Sequence, residues 1–436
     1  MPIRRTEFES GLRIVTERMP GVHSVALGFW VLAGSRDEPP RISGSSHFLE
    51  HLLFKGTKLR SAQDIAEAFD AVGGDVNAFT AKEYTCFYSR VRDRDLPMAV
   101  DHLCDMLQSS AIRQADLEAE RQVILEEIKM HEDTPDDLIH DLFNETLWPT
   151  HPLGRPILGT VESVTAATRD QVRRFYRRHY VPGNFAVVAA GNVEHEALLR
   201  LVGSHMETGG VCPEGKRSMG QGSGGPQGRS EGPSRRKLRV AGNAPIPSGR
   251  TLVRRRKAEQ AHICLGTNGT SRADPDRFAF GIVNNAIGGG MSSRLFQEIR
   301  ERRGLAYSVY SYHSMYVETG LFAAYAGTTP AKARQVMDIL RDQLANVAEG
   351  GLTEAEFDRA KRHVKGSLVL SLEEPSGRMS RLGKSEIGGA EILTVNQILG
   401  RIDAVTLDEA RRVAKRVLTQ PLSLAVLGPF DRRAFE

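Results

Sequence analysis

Between positions 207 and 250 the chain carries 11 glycines and 5 prolines in 44 residues, with almost no apolar periodicity. A compact core cannot hide a stretch of that make-up. It predicts a flexible linker or insertion that divides the 436 residues into two bodies, 1–206 and 251–436. Length argues the same way, since a single core of this size is uncommon.

The second body faintly repeats the first. Ser35-Arg36 with its Asp-Glu-Pro-Pro loop recurs as Ser271-Arg272 with Ala-Asp-Pro-Asp. A strand closing at Gly191 recurs as one closing at Gly428, and the two separations, 156 and 157 residues, nearly agree. One unit, duplicated, is the expectation.

Within the first body Leu12–Glu17 and Ser24–Leu32 read as strands parted by a Pro20-Gly21 turn. Ala62–Val72 reads as a helix stopped by Gly73-Gly74. Pro97–Gln108 and Ala115–His131 read as further helices, and Ala186–Gly191 as a buried strand. The fold class is therefore α+β, with each half an antiparallel-dominated sheet carrying helices on one face.

Composition excludes several classes. With 58 Lys+Arg against 54 Asp+Glu, the net charge of +4 points to no particular partner. Arg235-Arg236-Lys237 and Arg254-Arg255-Arg256-Lys257 have no interleaved aromatics, so no nucleic-acid partner is expected. Met1–Pro20 has no apolar run of the secretory kind, and Val25–Ala33 is too short to span a bilayer. A cytoplasmic chain without a membrane partner is expected. Cys86, Cys104, Cys212 and Cys264 form no Cys-x-x-Cys pair, and packing is the expected role of Cys86 and Cys104.

The chemistry concentrates in His47-Phe48-Leu49-Glu50-His51. On a helix His47 and His51 leave the same face one turn apart, and two such imidazoles reach one Zn²⁺ at roughly 2.0–2.1 Å. Gly44-Ser45-Ser46 offers hydroxyls suited to capping that helix. A catalytic zinc usually takes three protein ligands, so one more donor is required. The stretch from Glu120 to Glu127 supplies carboxylates on a second helix, Glu120 and Glu127 sharing a face. Glu126 adjoins Glu127, and the residues alone leave open which one ligates; heptad spacing to Glu120 favours Glu127. His131, His140 and His151 read as surface histidines. The bland alternative is a helix with a solvated Glu and a satisfied His.

His-x-x-Glu-His is the inverted form of the commoner zinc-peptidase motif. Followed after 75 residues by Glu127 within Glu-Arg-x-Val-Ile-Leu-x-Glu, it closely resembles the pitrilysin–insulinase family of zinc metalloendopeptidases, in its mitochondrial-processing-peptidase branch. The resemblance covers nearly the whole chain. It implies one Zn²⁺ per chain on His47, His51 and Glu127, with Glu50 as general base and Glu120 orienting a ligand. It also implies that Asn77 and Ala78 sit on an edge strand to which a peptide substrate adds as another strand.

In the second body the equivalent of the zinc helix falls at 283–287, where there is no His or Glu, so that half is expected to be metal-free. Gly288-Gly289-Gly290 through Phe296, then Arg300 through Tyr307, resembles the family's glycine-rich loop and Arg/Tyr pair. The resemblance implies that Tyr307 helps hold the tetrahedral oxyanion and that Arg300 binds substrate backbone. It further implies an enclosed chamber that takes unfolded peptides, and a homodimer or a heterodimer with a related subunit. Two other readings stay open: an inactive scaffold of the same fold, akin to the core subunits of a respiratory complex, and a metal-binding regulatory protein.

Overall fold

The computed structural model of the chain describes residues 3–206 and 242–435. Most of the expected linker thus lies outside the described residues. Six strands form the first sheet: β1 (Ile3–Glu7), β2 (Arg13–Arg18), β3 (Ser24–Val31), β4 (Asp75–Thr80), β5 (Thr85–Arg92) and β6 (Phe185–Gly191). Their order is β1-β2-β6-β3-β5-β4, with β2 and β6 parallel and the other neighbours antiparallel. β6 is the run Phe-Ala-Val-Val-Ala-Ala-Gly, buried at every position, as a strand covered on both faces must be.

The second sheet contains β7 (Thr251–Arg255), β8 (Ala261–Gly269), β9 (Ala306–Met315), β10 (Gly320–Thr328) and β11 (Ser423–Gly428), in the order β7-β11-β8-β10-β9. Its one parallel pair is β7 with β11. Strand for strand, β7 to β11 reproduce β2 to β6, so the faint repeat in the sequence is a true repeat of topology.

Helices α1 (Ser45–Leu53), α2 (Ala62–Val72), α3 (Leu96–Ser109), α4 (Gln114–Glu132) and α5 (Pro135–Leu147) follow in the first half. α2 is bounded by local chemistry. The Ser61 hydroxyl accepts from the Asp64 amide, the Asp64 carboxylate accepts from the Ser61 amide, and Gly73 closes the helix at φ 64°. Phe29, Phe48, Phe69 and Leu103 lie in the core between the first sheet and its helices; Phe280, Phe322 and Leu340 lie in the corresponding core of the second.

The other face of each sheet is covered by a helix from the opposite half. α5 sets Leu142 and Phe143 against Leu321, Ala323 and Leu427 of the second sheet. The helix Pro375–Ile387 sets Met379 and Leu382 against Ala26, Trp30 and Val188 of the first. Glycines admit both helices: a Cβ on Gly266 would stand 2.9 Å from Phe143, and one on Gly28 would stand 2.5 Å from the Met379 sulfur.

Ion pairs repeat the exchange. Arg36 of the first half pairs with Glu318 of the second, and Arg272 of the second pairs with Glu83 of the first at 3.2 Å. Arg36 also reaches Glu83 at 2.7 Å. The end of the expected linker is fixed to this frame. The Ser248 amide donates to the Leu147 carbonyl at 3.2 Å, and the Gly249 amide donates to the Ser423 hydroxyl at the same distance. Among the described residues no helix is long and apolar enough to cross a membrane.

Candidate metal centre

Two helices carry the expected ligands, and each is anchored by a buried ionisable side chain. α1 begins at Gly44, held at φ 91°, where a Cβ would stand 2.6 Å from the Leu158 carbonyl oxygen. The expectation of a hydroxyl cap on α1 is corrected here. The amides of Gly44 and Ser46 both donate to the Glu38 carboxylate at 2.6 Å, and Ser45 instead donates its hydroxyl to the Ile42 carbonyl. A carboxylate at a helix N-terminus satisfies the free amides and opposes the helix dipole. Burial pushes the Glu38 carboxyl up to about 8, against the pull of those two amides.

α4 is fixed through Arg121, whose guanidinium donates to the carbonyls of Thr165 at 3.0 Å and Ala167 at 2.8 Å and lies over the Phe48 ring of α1. Leu117, Ile124 and Ile128 bury the same side of α4, and this turns Glu120 and Glu127 toward α1.

There His47, His51 and Glu127 converge, one ligand atom of each lying within 4.8 Å of the others. Nε2 of His47 and Nε2 of His51 each stand 3.6 Å from the same oxygen of Glu127. Two ligand atoms about 2.1 Å from one tetrahedral ion sit roughly 3.4 Å apart, so the spacing suits a single small cation. Glu126 takes no part: it pairs with Lys129 at 2.6 Å, its side chain 71% exposed.

Protonation favours a cation as well. Burial, and after it the neighbouring imidazole of His51, pull the pKa of His47 down to about 4, leaving it neutral at pH 7. His51 Nδ1 donates to the Glu120 carboxylate at 2.9 Å, which turns its Nε2 toward Glu127. The Glu127 oxygen between the rings is buried and has no hydrogen-bond partner. Two imidazole nitrogens and a carboxylate oxygen thus converge at 3.6 Å, an arrangement whose spacing and donor types suit a divalent cation. Lys55 meets the other Glu120 oxygen at 2.7 Å. Burial opposes ionisation of Glu120, but the bonds from Lys55 and His51 outweigh it and hold the carboxyl below its ordinary range.

Glu50 lies beside this cluster without joining it. Its Oε2 accepts the Thr80 hydroxyl at 2.6 Å. Burial raises its pKa, partly offset by Thr80 and by His51. Thr80 closes β4, and neither it nor Glu38 was legible in the sequence as part of the site, because both reach α1 through tertiary contact alone.

The remaining expected residues fall into two groups. Asn77 and Ala78 lie on β4, which among the described residues pairs only with β5 and leaves its other edge without a strand neighbour. The Asn77 side chain accepts from the Ala78 amide at 2.7 Å. Arg300 and Tyr307 lie in the other half, in the short helical segment Phe296–Glu301 before β9 and on β9 itself. Arg300 stacks over Tyr307 at 4.7 Å and donates to its carbonyl, while Tyr307 is 80% exposed. Among the described residues no hydrogen bond, ion pair or ring contact joins either to the His47–His51–Glu127 cluster. The three histidines expected at the surface are partly buried: His131 bonds Asp141, His140 bonds the hydroxyls of Tyr310 and Tyr312, and His151 stands 3.5 Å from Glu318.

Comparison with known proteins adds a lineage. Residues 13–161 match the family described as insulinase (peptidase family M16), and residues 166–364 match the peptidase M16 inactive domain. An uncharacterized zinc protease of Streptomyces coelicolor is 50% identical across 99% of this chain and 91% of its own length. One of Bacillus subtilis is 39% identical across 98% of each. Among solved structures, a peptidase M16 inactive domain from Pseudomonas fluorescens superposes with a TM-score of 0.86 at 18% identity, covering 99% of this chain and 98% of that one. A protease from Helicobacter pylori superposes at 0.85 with 20% identity, covering 98% and 99%. The two structures show a shared fold. The match to the inactive domain covers most of the half that carries no metal-binding cluster among its described residues.

Proposed function

The chain belongs to the insulinase family of peptidases, family M16, and from that premise we propose that it is a zinc-dependent endopeptidase acting on unfolded peptides. One observation carries the reading: the buried Glu127 oxygen faces two imidazole nitrogens at 3.6 Å without a hydrogen-bond partner, next to a carboxylate that the cluster does not use. His47, His51 and Glu127 would hold one zinc ion. When bound, zinc supplies a Lewis acid that polarises the scissile carbonyl and favours loss of a proton from the attacking water.

The chain's own groups do the rest. Glu50 accepts the water proton on its carboxylate and passes it to the leaving nitrogen. Its raised pKa brings it nearer to neutrality, where a group can both take and return a proton. Thr80 fixes its orientation, and Glu120 with Lys55 fixes the ring of His51. The open edge of β4 at Asn77 and Ala78 takes the substrate as an added strand, through backbone bonds that demand no single sequence.

The working unit in this reading is a dimer, in which Arg300 and Tyr307 of one chain serve the zinc half of the other. An exposed tyrosine stacked by an arginine, with no link to the cluster in its own chain among the described residues, supports that placement. Digestion of a mixed peptide library by the purified chain, read by mass spectrometry, tests the function. Cuts that vanish with chelator and return with zinc are expected. No cleavage by zinc-loaded protein would contradict it and favour the scaffold reading.

A further inference from the structure

A cavity of about 690 Å³ lies between the two halves, walled by the turn after β4, the end of β9 and the helix Pro375–Ile387. Thr80 belongs to that wall and also donates to Glu50, so the cavity opens one hydrogen bond away from the proposed general base. A peptide laid along β4 with its scissile bond at Glu50 leads its neighbouring residues into this space.

The wall is cationic beyond what its acids balance. Arg272 is answered by Glu83 and Arg381 by Glu17, the latter at 2.9 Å. Glu391, the other acid on the wall, pairs with Arg401. Three cations remain, Lys82, Arg277 and Lys384, and among the described residues none has an acid within ion-pair distance. Lys82 is only 6% exposed and donates to the Arg155 carbonyl. Arg277 lies over the Phe278 ring at 4.5 Å and gives one bond to the Asp274 carbonyl, leaving most of its five donors unused. Nη1 of Arg272 is a further buried donor without a partner.

Burial pulls the pKa of both Lys82 and Arg277 down, outweighing the longer-range pull of Asp141 and Glu38 on the first and of Glu391 and Asp274 on the second, as for cations that have lost water without a direct ion-pair partner. A structural role would pair such groups within the chain, as Arg36 and Arg272 are paired. Donors left over around a cavity fit a ligand that brings the negative charge.

We propose that this cavity is a subsite for a carboxylate of the substrate peptide, either an acidic side chain near the scissile bond or a free C-terminus, held by Lys82, Arg277 and Lys384. The proposal rests on the peptidase reading for its substrate. It makes the second half a determinant of specificity, because two of the three cations come from it.

The test uses the full chain with Glu50→Gln, zinc-loaded, and fluorescence anisotropy of labelled peptides. A single Glu is walked along an otherwise neutral sequence and compared with Gln at each position, and each peptide is made as a C-terminal acid and as an amide. One position, or the acid over the amide, should bind roughly ten-fold tighter, which also tells the two sources apart. Adding Arg277→Gln and Lys384→Gln should erase that advantage and leave the neutral peptide unchanged. Lys384→Glu, an exposed helix position, should turn the preference toward Lys. Equal binding of all peptides, or an advantage that survives the double change, overturns the subsite. Cleavage by the unaltered chain is followed in parallel. Cutting without any carboxylate preference refutes the subsite alone, whereas a carboxylate preference without cutting supports the subsite and refutes the peptidase reading.

Discussion

His51 Nδ1 donates to the Glu120 carboxylate at 2.9 Å, and the opposite oxygen of that carboxylate holds Lys55 at 2.7 Å. The imidazole is thereby fixed in one tautomer, with Nε2 toward Glu127. Groups that orient a metal ligand typically cost about 10–100-fold in affinity when changed. Glu120→Ala is therefore expected to weaken zinc binding by that amount in competition with a chromophoric chelator. Glu126→Gln, on the solvent side of α4, should leave it unaltered. Equal affinities for the Glu120 variant and the unaltered chain would remove Glu120 from the site.

Thr80 tunes Glu50. Burial raises the Glu50 pKa, and the Thr80 hydroxyl lowers it by bonding the ionised form. Thr80→Val removes the lowering influence, so the folded pKa rises. A base must be ionised to accept a proton, so the acid limb of the pH–rate profile should move to higher pH in the variant. A limb that stays in place, or moves to lower pH, would mean that Glu50 is not the titrating base.

The crossed ion pairs lock the two halves. Glu318 is 2% exposed and answers Arg36, which keeps Glu83 as a second acid. Glu318→Gln should cost about 3 kcal/mol at most, because Arg36 is left only partly compensated. Urea unfolding measures it, and pairing the change with Arg36→Met should recover part of the loss. A midpoint unmoved by Glu318→Gln would show that the pair adds nothing.

How much of this was legible in the sequence depended on whether the cause was local. α2 runs from Ala62 to Val72 as expected, since Ser61, Asp64 and Gly73 bound it within a few residues. The spacing of His47, Glu50 and His51 placed them on one helix for the same reason. The cap of α1 was misread because its acid, Glu38, stands outside the three residues that a local rule inspects, and a left-handed Gly44 turns the chain back to it. The exchange of α5 and the helix Pro375–Ile387 could not be read at all. An apolar helical face shows that it needs a partner but not which sheet supplies it, and only the glycines at 28 and 266 hint at a close approach.

A shared site predicts complementation. Glu50→Gln and Tyr307→Phe each disable one half of the proposed arrangement. If pairs form with the second half of one chain facing the first half of the other, some mixed dimers contain one site with both residues intact. Activity should then partly return when the two inactive proteins are mixed. No recovery after confirmed subunit exchange would place the pair within one chain, or Tyr307 outside the site.

The most direct measurement is made on Glu50→Gln alone, with zinc content and peptide turnover taken from the same preparation. The account assigns Glu50 to proton transfer and the metal to His47, His51 and Glu127. It therefore predicts one zinc per chain, as in the unaltered protein, with turnover reduced at the upper end of about 10²–10⁴-fold. Full zinc together with near-normal turnover would contradict it.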